Sequence, residues 1–99
     1  MRIHELKCWP EFFEPLLDGR KRFEWRINDR DFHAGDILHL REWSAATTYS
    51  GRELYLKVDY ILTVKSGEYS PIGIPTGYAI MSVSQVSLEV KPKQEAALQ

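Results

Sequence analysis

The chain has 99 residues, 43% of them hydrophobic, and twelve are aromatic, enough to build one small core without staples. A formal net charge of −1 and a pI near 6.3 exclude a strongly basic module that coats nucleic acid through bulk electrostatics, so any such contact has to be local. The single cysteine, Cys8, excludes an intrachain disulfide and points to a reducing compartment.

In chain order, Arg2 to Cys8 reads as a short strand, with Ile3 and Leu6 apolar among polar neighbours. Pro10 opens a helix over Glu11 to Asp18, where Phe12, Phe13, Leu16 and Leu17 recur at helical spacing. Pro15 is awkward there but tolerable in so short a helix, and Gly19 stops it. Lys21 to Ile27 is the next strand, followed by polar turns at 28–31 and 32–36. Ile37 to Trp43 is a strand, 44–51 a polar loop and Glu53 to Val64 a long strand. In that strand Leu54, Leu56, Val58, Tyr60 and Leu62 share one parity. A Gly- and Pro-rich loop over 65–76 precedes a last strand from Tyr78 to Val90. The expected domain is 1–90, with 91–99 a polar, disordered tail. A strand-rich chain of this length should curl into a mainly β (α+β) barrel, with one or two short helices closing an end.

Residues 19–26 read G-x-K-x-x-E-x-R, and within them charged and aromatic residues alternate. Period two places Arg22, Glu24 and Arg26 on one strand face and Phe23 and Trp25 on the other, with Trp25 expected in the core. Lys21 has the wrong parity to join Glu24 unless a turn or bulge begins the strand. The bland alternative is a solvated strand edge with weak ion pairs. Trp9 and Trp43 could also stack bases, with Trp43 the better exposed stacker. The histidines are scattered and Cys8 has no partner at metal spacing, so neither metal nor cofactor is expected. No apolar run approaches a membrane span, and the first residues lack the apolar core of a secretory signal. A cytoplasmic protein is the expectation.

The motif G-x-K-x-x-E-x-R at a helix-to-strand junction resembles that of ASCH domains, the activating-signal-cointegrator homology family of the PUA-like superfamily. Gly19, Lys21, Glu24 and Arg26 match it position for position. His4-Glu5-Leu6-Lys7, Pro10-Glu11, Phe13, Asn28-Asp29-Arg30, Phe32, Gly35-Asp36-Ile37-Leu38, Leu40-Arg41-Glu42-Trp43, Tyr60-Ile61-Leu62 and Gly77-Tyr78 resemble a compact bacterial and phage subfamily of unknown function. The resemblance spans roughly residues 1–85. It implies a PUA-like pseudobarrel with a cleft beside the motif.

It also implies two functions. One is a module that binds RNA or a nucleotide-like ligand through His4, Lys7, Lys21, Glu24, Arg26 and Arg30. Here His4 and Lys7 come from a first strand that the resemblance sets beside the motif strand, and Arg30, by its own place in the turn after that strand, could meet a phosphate at the cleft rim. The other is a small hydrolase acting on an N4-acylated cytidine or an RNA phosphodiester, with Lys21 and Glu24 catalytic. In the amidohydrolase members a lysine works with a threonine, a distant glutamate and an arginine. Lys21 and Arg26 fall at matching positions, Glu24 replaces the threonine, and Glu68 is a candidate for the distant carboxylate. The substituted threonine favours binding. A third, blander expectation is a phage accessory domain that binds another protein.

Overall fold

The structure, a computed structural model, describes residues 1–64 and 73–87. Its elements are β1 (Ile3–Cys8), α1 (Pro10–Leu17), β2 (Phe23–Ile27), β3 (Ile37–Ser44), β4 (Thr48–Thr63) and β5 (Tyr78–Gln85). The expected tail and the candidate Glu68 lie outside the described residues, as do residues 88–90 of the expected last strand.

The five strands form one sheet in the order β1-β3-β4-β5-β2. β1 runs parallel to β3, and the other pairs are antiparallel. The sheet curls into a half-barrel whose two edges, β1 and β2, share no ladder. Arginine side chains bridge this seam. Arg26 Nη2 donates to Lys7 O at 2.9 Å, and Arg30 Nη1 donates to Glu5 O at 3.0 Å. Exposed strand edges invite unwanted pairing, and charged side chains laid along them guard against it.

The concave face is the core. Alternate residues of each strand turn inward: Leu6 and Cys8, Leu38 and Leu40, Leu54, Leu56 and Val58, Met81 and Val83. Each leucine fully buried here contributes about 2 kcal/mol. Helix α1 caps this face by burying Phe13 and Leu16 in the same cluster. It begins at Pro10, where a missing N–H costs nothing. It ends at Leu17, two residues before Gly19 with φ +86°, and Gln85 Nε2 donates to the carbonyls of Leu16 and Leu17 at 3.0 and 2.7 Å, adding to the Gly19 N–H that Leu16 O already accepts.

Two buried carboxylates stitch the paired side of the sheet. His4 Nε2 lies 2.9 Å from Asp36 Oδ2, and its ring meets Phe32 edge-on at 4.8 Å. Asp36 also accepts from the backbone N–H groups of Arg2 and His33. Burial alone would raise this carboxyl, but His4 and the two N–H groups outweigh it and hold it at about 2. Glu42 is gripped by Arg52, whose Nε and Nη2 each donate at 3.0 Å to a different carboxylate oxygen, and by Ser50 Oγ at 2.6 Å. Arg52 reaches on to Glu14 at 2.8 Å, tying α1 to the sheet.

Three expectations are corrected. The polar loop over 44–51 is largely strand: β3 and β4 meet in a tight hairpin whose Thr48 has φ 57°. The single parity of β4 breaks because its register against β5 shifts between Val58 and Tyr60. One extra residue reverses the alternation, so Tyr60 is exposed and Ile61 packs on the core. Trp25 is not core. It is 51% exposed, whereas its neighbour Glu24 is 4% exposed. The two faces of β2 are real, but the polar one turns inward.

Candidate functional site

The inward polar row is assembled by the turn between α1 and β2. Gly19 takes a positive φ that side chains disfavour, and Arg22 Nε donates back to its carbonyl at 3.1 Å. Arg20 is held by Asp18 at 2.9 Å. Lys21 therefore precedes the strand rather than lying in it, and strand parity does not bind it. Its Nζ donates to Phe23 O and to Glu24 Oε2, both at 2.9 Å. Arg26, two residues beyond Glu24 on the same face, donates through Nε to Glu24 Oε1 at 2.8 Å.

Each oxygen of one buried carboxylate thus holds a different cation. Taking a lone carboxylate out of water is costly, and paired charge-assisted hydrogen bonds offset that cost. Glu24 also fixes both cations in place, and neither is used up. An ammonium has three N–H groups and Lys21 spends two of them. Arg26 spends Nε on Glu24 and Nη2 on Lys7 O, while its Nη1 makes no hydrogen bond among the described residues.

Both cations line a cleft of about 590 Å³ between the end of β1, the start of α1 and the edge of β2. Lys21, Glu24 and Arg26 line it with Lys7 and Cys8, and aromatic rings make up the rest: Trp9, Phe12, Phe23, Trp25 and Tyr78. The first four of these rings are roughly half exposed. The Lys21 ammonium sits 4.6 Å from the Phe23 ring centroid and 5.6 Å from that of Phe12, close enough for cation–π attraction. Trp25 is steadied edge-on against Tyr78 at 6.3 Å. The Cys8 thiol is buried, and burial, with the Glu24 charge, pushes it up to about 11.

The structure brings Lys21, Glu24, Arg26 and Lys7 to one cleft. His4 is elsewhere: buried, bonded to Asp36 and absent from the cleft lining, because it lies at the start of β1 while the cleft is lined by Lys7 and Cys8 at the strand's end. Arg30 lines a neighbouring cavity of about 370 Å³ with Glu5, Leu6, Lys7, Arg26 and Tyr49. Trp43 does not reach the cleft; the Lys7 ammonium lies over its ring at 4.4 Å. Sequence reasoning passed over Phe12, Phe23 and Tyr78 and put Trp25 on the wrong side. The available signal was three bulky apolar residues, Phe23, Trp25 and Ile27, on a strand too short to bury them beside a polar row that buries instead. Among the described residues no group of three or more His, Cys, Asp or Glu could hold a metal ion, and no helix is long and apolar enough to cross a membrane.

A protein of Escherichia phage P2, described as an uncharacterized 12.9 kDa protein in the GpA 3' region, is 37% identical over 57 residues. That alignment takes in 58% of this chain and 51% of the phage protein, so the match spans about half of that relative's length. The family model described as "Domain of unknown function (DUF3850)" matches residues 3–83, which include every residue of the cleft. The chain therefore belongs to the DUF3850 family.

Proposed function

We propose that the protein is a binding module of ASCH, PUA-like type that takes a nucleobase, carried by RNA or by a free nucleotide, into the cleft of Lys21, Glu24 and Arg26. The observation that carries this reading is an ion triad with spare donors set among half-exposed aromatic rings. A base has a flat face, which stacks on aromatic side chains, and an edge of oxygen and nitrogen acceptors, which meets N–H donors. The cleft volume falls within the range of small-ligand sites. With a net charge of −1 the chain gains little from non-specific attraction to phosphate, so recognition rests on this local constellation.

The hydrolase reading needs Lys21 as a proton acceptor or nucleophile. Here its Nζ lies 2.9 Å from both Phe23 O and the Glu24 carboxylate, Glu24 stands where the amidohydrolase members of the resembled family carry threonine, and the adjacent Cys8 is held as a neutral thiol. Binding is the better-supported function.

Trp9 and Trp25 supply the test, since a stacked base quenches tryptophan fluorescence. Titration with the four ribonucleotides and with short single-stranded RNA should give saturable quenching for at least one of them. An absence of saturation for all of them at millimolar concentration would overturn the reading. Release of cytidine from N4-acetylcytidine, lost in Lys21→Ala, would move the protein to the hydrolases.

A further inference from the structure

The two cavities share Lys7 and Arg26 as a common wall but differ in character: rings dominate the first, charges the second. Resting on the base-binding reading above, we infer that the second cavity is a phosphate subsite. The ligand is then a nucleotide, with its base among the rings and its phosphate between Arg26 and Arg30.

Both arginines are anchored at one edge and free at the other. Arg30 spends Nη1 on Glu5 O, and its Nε and Nη2 make no hydrogen bond among the described residues. Arg26 likewise keeps Nη1. Arg30 so held offers, through Nε and Nη2, a planar pair of N–H donors, the geometry that matches phosphate oxygens, and Arg26 adds its Nη1. The turn that carries Arg30 is itself pinned. Arg2 Nη2 donates to the carbonyls of Arg30 and Asp31, and Asn28 Oδ1 accepts from the Phe32 N–H at 2.9 Å. Little ordering is left for the moment of binding.

The charge balance has the right sign. Lys7, Arg26 and Arg30 line the cavity against one carboxylate, Glu5, and Glu5 is already paired with Arg41 at 2.9 Å. The volume of about 370 Å³ leaves room for a phosphate and part of a ribose. Arg26 links the two subsites, with its Nε on the Glu24 carboxylate of the first cleft and its Nη1 free.

A terminal phosphate of a free nucleotide and a phosphodiester inside a strand present the same chemistry. Affinities of the four ribonucleosides, their 5′- and 3′-monophosphates and mixed tetraribonucleotides separate the sources. A phosphorylated ligand should bind about tenfold or more tightly than its nucleoside at low salt, and added salt should narrow the gap. Gain from a monophosphate identifies a free nucleotide, and gain only in the tetramers identifies a strand; both support the subsite. Arg30→Gln should cut the gap to about threefold or less while leaving nucleoside affinity unchanged, and Arg30→Lys should keep part of it. Lys7→Gln, at an exposed position, is an independent variant expected to narrow the gap less. Nucleosides that bind as tightly as all phosphorylated ligands, or a gap untouched by Arg30→Gln and Lys7→Gln alike, would overturn the subsite and leave base binding standing. If nucleosides, nucleotides and tetramers all fail to bind, both readings fall.

Discussion

Glu42 and Glu24 are both buried carboxylates held by cations, yet they sit in regions with opposite purposes. On the paired side of the half-barrel, one guanidinium spans both oxygens of Glu42 and a serine adds a third bond. At the seam, Glu24 divides its oxygens between Lys21 and Arg26, and both cations keep donors free beside a cavity. A carboxylate saturated by one bidentate partner stitches elements together. A carboxylate shared by two half-used cations holds those cations ready for something else. Burial of a charge alone does not tell the two apart, and Arg52 too keeps one nitrogen unbonded among the described residues; the open volume, which Lys21 and Arg26 line and Arg52 does not, tells them apart.

If that distinction is right, the paired side governs stability and the seam governs binding. The largest expected effect is on the paired side. His4→Ala removes a buried ring packed on Phe32 and leaves the Asp36 carboxylate short of one partner. It should cost about 3 kcal/mol in urea unfolding, with nucleotide affinity of the folded protein unchanged. A stable His4→Ala protein that has lost binding would break the comparison.

A somewhat smaller effect comes from acid. Asp36 is held at about 2 when folded, against an ordinary value of 3.8, so its stabilisation is fully present above pH ~4 and fades as pH falls toward 2. The loss should be on the order of 2 kcal/mol. Asp36→Asn should be less stable at pH 7 and flatter across that acid window, a contrast that urea melts at stepped pH would measure.

At the seam, Trp25→Ala and Arg26→Ala should each weaken nucleotide binding about tenfold. Trp25→Ala should shift stability by less than about 1 kcal/mol, because half of the indole is already in water. A strongly destabilised Trp25→Ala would return that ring to the core and reverse the faces of β2 once more.

That reversal marks where the sequence stopped being readable. The order of strands and helix was legible, because period-two alternation and Gly or Pro punctuation are local signals. The pairing of Glu24 with Arg26 was legible too, since they share strand parity, whereas Lys21 joins them only because a turn precedes β2, which parity could not settle. Alternation in β2 yields two faces without saying which one is buried, and the usual rule of apolar inside chose wrongly. Here two cations offset the burial of Glu24, while the aromatic face lies beside a cleft. The one-residue slip after Val58 left no mark in composition, so Tyr60 was misplaced. The partner of His4 is 32 positions away, and only the parallel pairing of β1 with β3 brings the two together.

The smallest expected effect is none at all, and it concerns the residue at the cleft that looks most reactive. Cys8 lines the cavity beside Lys21 and Arg26, a setting in which nearby cations would favour a thiolate. Burial and the Glu24 charge oppose them and prevail, leaving the thiol at about 11 and 2% exposed. At pH 8 almost none of it is ionised, and the reagent has little access. Iodoacetamide should therefore leave the native protein unmodified over hours and label it promptly in urea, and Cys8→Ala should bind nucleotide like the parent chain. Rapid labelling of the native protein, blocked by nucleotide, would instead make Cys8 part of the working surface and give the seam a nucleophile that its geometry argues against.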